Sequence, residues 1–258
     1  MVLKTVYENA LSHPASRRFS RSLRHRLLRL LGHRDPFFDL AAIANGTPSD
    51  LLLDIGCHEG QTILRVRDAG VSCPIFGFDP VPTNLDAAKH RLKNETEVTL
   101  VQTAVSDRNG SEIFFVNRDS QTSSLLDNDL GNFESLHDQT KHLEPIPVET
   151  VTLDTWLDRH APTAARIIVK CDVQGAESRV IQGGARAFRD RVVAFYGEVM
   201  LAPMYRGQGT FSELRESLEG TFGMTLFNLY PCLRDGHGRV IQTDALWVRP
   251  DCIKHLQY

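Results

Sequence analysis

The chain has 258 residues, of which 41% are hydrophobic, and its formal net charge is -3. This length suits one α/β domain with an extension, and apolar runs such as Leu51 to Ile55 reach only strand length, so we expect no membrane-spanning helix. The charge is too mild for bulk nucleic-acid binding. The five cysteines are scattered without a Cys-x-x-Cys pair, which argues against a disulfide framework and a metal site. Met1 to Asn9 lacks the features of a secretory signal, so we expect a cytoplasmic protein.

The N-terminal segment is richer in positive charge than the rest of the chain. Arginines recur between Arg17 and Arg34 among leucines, which predicts a basic amphipathic helix ended by Gly32. A loop-type cluster around Pro48 follows, so we divide the chain into a basic helical extension, 1–45, and a main domain, 46–258. We favour a solvated helix packed on the domain. A weak contact with an anionic membrane surface is the other interpretation.

From residue 51 the chain alternates strand-like and helix-like segments, the pattern of a mostly parallel, doubly wound α/β sheet. The predicted strands are Leu51 to Ile55, Ile75 to Asp79, Val98 to Val105, Glu112 to Val116, Val148 to Val151, Arg166 to Asp172, Val192 to Val199, Thr225 to Tyr230 and Ala245 to Val248. Predicted helices end at about Ala69, begin at a Thr83 cap, and cover Ala176 to Gln182 and about Phe211 to Leu218. The polar segment from Asn117 to Pro145 is a mobile lid or a plain loop. The turn from Arg234 to Gly238 indicates an antiparallel C-terminal hairpin.

The segment from Leu51 to Gln61 combines a buried-type strand, an acid at the strand tip and two glycines before a helix. Ligands of open α/β sheets bind at this edge. Gly56 and Gly60 allow a tight turn and a close approach to a ligand. The spacing is not Gly-x-Gly-x-x-Gly, and Asp54 suits a ligand with a positive amino group better than a diphosphate. An ordinary βα turn remains the alternative.

Three further acids end predicted strands. Asp79 lies about 20 residues beyond the glycine loop, where a carboxylate can accept both hydroxyls of a ribose, although a capping role is the alternative. Asp172 ends a central strand opposite the loop, and Glu198 ends the next strand, so the two acids could flank a substrate hydroxyl. For both, a structural role stays open. Lys170 shares a face with Asp172, and we expect it to pair with a neighbouring acid.

Several ordered motifs between about Leu51 and Arg249 together resemble the FkbM-type methyltransferase family. They are the loop from Asp54 to Gln61, Phe78-Asp79-Pro80, Ala104-Val105-Ser106-Asp107, Val151-Thr152-Leu153-Asp154, the run from Lys170 to Glu177, and Asp244-Ala245-Leu246-Trp247-Val248. The resemblance implies a seven-stranded Rossmann-like methyltransferase sheet and S-adenosylmethionine as the donor. It also implies an oxygen acceptor on a sugar, lipid or polyketide-like metabolite.

The resemblance also implies roles for individual residues. Asp54, Gly56 and Gly60 would line the methionine and adenosine, Asp79 would bind the ribose, and Ser106 or Asp107 would lie near the adenine. The sequence departs from the family pattern at Cys57 and His58, where Ala and Asn are usual, and at Gln174, where Glu is common.

An alcohol acceptor needs a group that removes its proton. Asp172 is the first candidate for this general base, Glu198 the second, and His58 the third, because a histidine with a pKa of about 6.5 suits the task. His58 has a surface role as its alternative.

Two other classes of protein stay open at this stage. A nicotinamide-dependent oxidoreductase would share the sheet and the ribose-binding acid, but the chain lacks the glycine fingerprint and a Tyr-x-x-x-Lys pair. A non-catalytic module could use the basic N-terminal helix on membranes or nucleic acid. The sequence identifies neither the acceptor nor the oligomeric state.

Overall fold

The computed structural model describes residues 34–46, 48–129 and 141–256, and these residues form two β-sheets with helices around them. The strands, in chain order, are β1 (Leu51–Ile55), β2 (Ile75–Phe78), β3 (Val98–Val101), β4 (Ala104–Ser106), β5 (Gly110–Phe114), β6 (Ile146–Thr152), β7 (Ile167–Cys171), β8 (Val192–Met200), β9 (Thr225–Leu229), β10 (Leu233–Arg234) and β11 (Val240–Val248). The main sheet has the order β3-β2-β1-β7-β8-β11, and both β9 and β10 pair with the outer side of β11.

The five strands from β3 to β8 are parallel, whereas β11 is antiparallel to β8, β9 and β10. This arrangement confirms the mostly parallel sheet with an antiparallel C-terminal hairpin. Because β9 and β10 occupy one edge position at different heights, eight strands fill seven positions. Strands β1, β7 and β8 are buried along their whole length, as expected when both faces of a parallel sheet are covered.

The helices cover both faces of the main sheet. They are α1 (Pro36–Gly46), α2 (Gln61–Ala69), α3 (Pro82–Arg91), α4 (Leu153–His160), α5 (Glu177–Gly183), α6 (Ala185–Asp190) and α7 (Phe211–Arg215), which a π-helical turn extends to Thr221. Leu40 and Ile43 of α1 pack with α2 and α3 residues over one face, and Trp156 and Phe188 pack over the other. The doubly wound arrangement is thereby confirmed.

Strand β4 corrects one prediction. Residues Val98 to Val105 were expected to form one strand, but the strand ends at Val101. There the backbone N–H of Thr103 donates to the carbonyl oxygen of Val101. Strand β4 then leaves the main sheet and pairs with β6 in a three-stranded sheet, β4-β6-β5. Gln102 and Thr103 interrupt the apolar residues at the break, but two polar residues do not by themselves indicate a change of sheet.

Three helix boundaries also differ from the predictions. Helix α3 begins at Pro82, because proline suits the first helical position, and Val81 rather than Thr83 occupies the N-cap position. Helix α6 was missed, since the glycines at 183 and 184 indicated an end and not a junction between two short helices. The predicted helix at Phe211 changes to π-helical geometry at Glu216.

Helix α1 binds the start of the described chain to the sheet. Arg34 Nη2 lies 2.6 Å from Oδ1 of the fully buried Asp39, and Arg34 also donates to the carbonyl oxygen of Leu256. The hydroxyl of Tyr230 donates to Oδ2 of Asp39. The structure thus joins residues 34–46 to the main domain. The predicted basic helix, which begins at Arg17, lies outside the described residues except for Arg34.

Candidate active site

A cavity of about 350 Å³ lies at the carboxyl ends of the parallel strands. Its volume falls in the range of small-ligand sites, and its position is where open α/β sheets bind ligands. The walls come from the loop after β1, the end of β2, residues 103–105, the loop after β7, and Glu198 on β8. Residues 119–123 contribute another part of the wall. The cavity therefore collects segments that are far apart in the sequence.

Gly56 is required where the loop after β1 crosses the end of β7. Its φ of 75° is left-handed, and a Cβ built there would lie 1.9 Å from the carbonyl oxygen of Asp172. Gly56 lines the cavity. Gly60 has the same φ but faces α3, where an added Cβ would meet Leu92 at 2.7 Å, and it does not line the cavity. Gly60 therefore brings the start of α2 against α3 instead of touching a ligand.

Asp79 projects from the end of β2 into the cavity wall. Its Oδ2 accepts the backbone N–H of His58, and its Oδ1 accepts the backbone N–H of Val81 and the side-chain amide of Asn84. Burial raises the pKa of Asp79, while these hydrogen bonds and the nearby His58 lower it. The carboxylate is fixed at the position where the sequence predicts ribose binding, and it also holds the glycine loop.

Asp54 is fully buried and does not line the cavity. Its Oδ1 lies 2.9 Å from Nζ of Lys170, which also donates to the carbonyl oxygen of Gly56. Burial disfavours the charged form of Lys170, but the charges of Asp54 and Asp172 outweigh it and raise the lysine pKa. The expected pairing of Lys170 with a neighbouring acid is confirmed. Asp54 acts on the loop through this lysine, which itself lines the cavity.

Ser106 and Asp107, expected near the adenine, are not part of the cavity wall. Ser106 is fully buried against α5, where a Cβ at Gly183 would meet its carbonyl oxygen, and its hydroxyl donates to Asp107 and Glu112. The residues just before them do line the cavity, namely Thr103, Ala104 and Val105. The part of this segment that lines the cavity thus lies just before the two residues that the resemblance names.

Asp172 and Glu198, the two acids expected at the reaction centre, both line the cavity and are connected by Gln174. Nε2 of Gln174 lies 2.8 Å from Oδ1 of Asp172 and 2.9 Å from Oε2 of Glu198. The other oxygen of Glu198 accepts the side-chain amide of Gln242. Oδ2 of Asp172 lies 3.9 Å from Nζ of Lys170, and 41% of the Asp172 side chain is exposed.

Burial differs sharply between the acids of this region. Glu198 is 5% exposed, and burial, followed by the charges of Asp172, Glu177 and Asp244, raises its pKa well above the usual value. Burial also raises the pKa of Glu177 to about 7. Its Oε1 accepts the backbone N–H of Val173 below the cavity. Asp172 is therefore the accessible carboxylate, and Glu198 is a buried one held by two amides.

His58 connects the glycine loop to the segment 119–123. Its backbone is left-handed, with a φ of 47°, and its Nε2 lies 2.7 Å from Oγ of Ser120. The hydroxyl of Tyr205 lies 3.0 Å from the carbonyl oxygen of Thr122 and 2.9 Å from Oε1 of Gln174. Sequence reasoning missed Ser120, Tyr205 and Gln242, because polar residues in loops and at a sheet edge carry no periodic signal.

The described residues, 34–46, 48–129 and 141–256, also bear on two other kinds of site. No helix among them is both long and apolar enough to cross a bilayer. Within the same ranges, no group of three or more His, Cys, Asp or Glu side chains is arranged to hold a metal ion.

Comparison with known proteins gives the class of the chain. Residues 54–222 match the model of the methyltransferase FkbM domain. The chain is 30% identical over 171 residues to the 2-O-methyltransferase NoeI of Sinorhizobium fredii (strain NBRC 101917 / NGR234), which covers 62% of this chain and 68% of the relative. Among solved structures, the methyltransferase domain of bacterial CtHen1-C aligns with a TM-score of 0.44 and 14% identity, over 83% of this chain and 96% of that chain.

The family model and the relative define a methyltransferase, and the fold agrees with this class. The chain belongs to the FkbM methyltransferase family, since the family model spans about two thirds of its length. Neither a nicotinamide-dependent oxidoreductase nor a non-catalytic module has support from these matches.

Proposed function

We propose that this methyltransferase uses S-adenosylmethionine and methylates a hydroxyl of a sugar, a lipid or a secondary metabolite. The observation that carries the proposal is that Asp79 and Asp172 line one cavity, where Gly56 packs against the backbone of Asp172. The relative named a 2-O-methyltransferase supports an oxygen acceptor.

The cavity residues fit the proposed donor. Asp79 offers a fixed carboxylate for the ribose hydroxyls, and Phe78, Val105 and Phe114 provide apolar wall for an adenine. Gly56 lets the loop pack directly against the backbone of Asp172 in this wall, and its carbonyl oxygen accepts a hydrogen bond from Lys170. S-adenosylmethionine supplies a methyl group that its sulfonium already activates. The protein must therefore mainly align the acceptor and exclude water.

Asp172 is the residue we propose as general base. Oδ1 is held by Gln174, while Oδ2 accepts no hydrogen bond within the described residues and lies 3.9 Å from Nζ of Lys170, so this oxygen can accept a hydroxyl proton. Glu198 has both oxygens bound by amides, and His58 is bonded to Ser120. These contacts favour Asp172 over the other two candidates.

The test is transfer from methyl-labelled S-adenosylmethionine to a panel of neutral sugars, glycolipids and hydroxylated metabolites. We expect an alkali-stable labelled ether. Asp172→Asn should lower the transfer rate by roughly 10²- to 10⁴-fold without weakening donor binding, because the shape is kept and the basicity is lost.

Glu198→Gln is the matched variant, since it makes the same change at the neighbouring acid. If Asp172→Asn turns over normally and Glu198→Gln is inactive, Glu198 is the base. If both turn over normally, catalysis needs no carboxylate base. A labelled amine or a base-labile ester would contradict the proposed acceptor class.

A further inference from the structure

Among the described residues, Gln174 is the one side-chain amide that contacts both Asp172 and Glu198. A side-chain amide has two N–H donors, and in Gln174 one lies toward Asp172 and the other toward Glu198. Two neighbouring carboxylates otherwise repel each other and raise one another's pKa. The amide therefore separates two like charges and holds each at a hydrogen-bond distance.

The backbone of Gln174 is held in a conformation that non-glycine residues rarely adopt. Its φ is 57°, in the left-handed region. Ser124 Oγ donates to the carbonyl oxygen of Gln174 at 2.8 Å, and the hydroxyl of Tyr205 lies 2.9 Å from its Oε1. Both ends of the residue are thus fixed by neighbours from other segments, which directs its amide at the acids.

This fixation determines which carboxylate oxygen stays available. Glu198 has one oxygen on Gln174 and the other on Gln242. Asp172 has Oδ1 on Gln174, and its Oδ2 carries no hydrogen bond from that amide. The hydrogen bond from Gln174 therefore fixes the rotation of the Asp172 carboxylate and leaves Oδ2 for the cavity.

We propose that Gln174 is a positioning residue for methyl transfer, because its amide holds Asp172 and Glu198 in one arrangement and presents Asp172 Oδ2 to the acceptor hydroxyl. The inference rests on the proposed function of the cavity. The amide of Gln174 supplies both hydrogen bonds without adding a charge of its own. A carboxylate there would place a third negative charge between two others.

The charge of this region has several contributors besides Gln174. The ionisable groups that face it are Asp54, Lys170, Asp172, Glu177, Tyr196, Glu198, Tyr205 and Asp244. The hydrogen bond from Gln174 lowers the pKa of Glu198 against the upward effect of burial and of the neighbouring acids. Removing that hydrogen bond should move the titration of Glu198 to higher pH.

The experiment compares Gln174→Leu, which keeps the approximate size without donors, with Gln174→Glu, which keeps the shape and adds a charge. Carboxyl ¹³C NMR follows the Glu198 resonance, identified by its loss in Glu198→Gln. We expect its titration midpoint to move to higher pH in both variants. Gln182→Leu is the matched control, since Gln182 is exposed on α5 and does not line the cavity.

A second measurement separates positioning from donor binding. Calorimetry with S-adenosylmethionine should give an affinity within about twofold of the unmodified protein, while the transfer rate in Gln174→Leu falls on the order of 10²-fold. An unchanged Glu198 midpoint in both variants, or an unchanged transfer rate, would overturn the proposal. If the unmodified protein transfers no methyl group at all, the proposed function fails, and a shifted midpoint would still show the electrostatic contact.

Discussion

Asp79 has two tasks at the cofactor side of the cavity. It accepts backbone hydrogen bonds from His58 and Val81, and it remains in the cavity wall where a ribose would lie. Its carboxylate thus positions the glycine loop and offers acceptors to the donor. Losing the side chain would remove both contributions together.

We predict that Asp79→Ala weakens S-adenosylmethionine binding by at least about 1.5 kcal/mol, roughly tenfold, because charge-assisted acceptors for two hydroxyls are lost. Calorimetry on the folded variant measures this. Asp86→Ala is the control, since Asp86 is exposed on α3 and pairs only with the exposed Lys89 in the described structure. Equal affinities for the two variants would refute the role of Asp79.

The sequence predicts which residues line the cavity better than it predicts which side chains they contact. Asp79, Asp172 and Glu198 end strands whose apolar pattern is clear, and each lines the cavity. Asp54 ends a strand in the same way but points into the protein, because Lys170 from the adjacent strand meets it there. A pattern with period 2 gives the face of a residue only when the neighbouring strand is known.

Helix α5, which follows β7, begins with a buried glutamate whose pKa differs between the folded and the unfolded protein. Glu177 opens α5, is 3% exposed, and accepts the backbone N–H of Val173 in the loop that carries Asp172. Burial raises its pKa from 4.5 to about 7. The folded protein therefore keeps a proton on Glu177 at a pH where the unfolded chain has lost it.

This difference predicts a pH dependence of stability. Because the folded state binds the extra proton, the Glu177 contribution to the free energy of unfolding should fall as pH rises from about 4.5 to about 7. The total change is up to about 3 kcal/mol. Urea unfolding across this pH range gives the free energy of unfolding of the unmodified protein and of Glu177→Gln. The difference between the two free energies at each pH measures the Glu177 contribution. A difference that is constant with pH would contradict the assigned proton.

The ends of the β-strands show why part of the fold cannot be predicted from the sequence. The strands β1, β7 and β8 are buried throughout and are predicted within one residue at each end, because burial on both faces leaves mainly apolar runs around the polar residues Asp54, Lys170 and Glu198. The division between β3 and β4 depends on pairing with β2 and β6, which lie elsewhere in the chain. Such long-range pairing leaves no local signal.

In the whole molecule, the described residues 34–46 pack on the main domain, although the sequence analysis places them in the N-terminal extension. Leu40 and Ile43 of α1 are fully buried, and Arg34 pairs with Asp39 beside Tyr230. We therefore place the division of the chain before Arg34. What precedes it has a basic amphipathic sequence, and we propose that it serves acceptor delivery or an anionic surface.

We predict that deleting residues 1–33 leaves S-adenosylmethionine affinity within about twofold, because every residue that we propose to bind the donor lies beyond residue 54. Deleting residues 1–46 should instead destabilise the protein by several kcal/mol, since α1 covers apolar surface of the sheet. Thermal unfolding and calorimetry on the two truncations test this. Comparable stability of both truncations would show that α1 is not part of the domain.

The central claim is that the cavity at the carboxyl ends of β1, β2 and β7 binds a methyl donor. Its most direct test is a calorimetric titration of the full chain with S-adenosylmethionine, with NADH as the competing ligand class. We predict one-to-one binding of S-adenosylmethionine, competition by S-adenosylhomocysteine, and no heat from NADH. Binding of NADH without binding of S-adenosylmethionine would contradict the account.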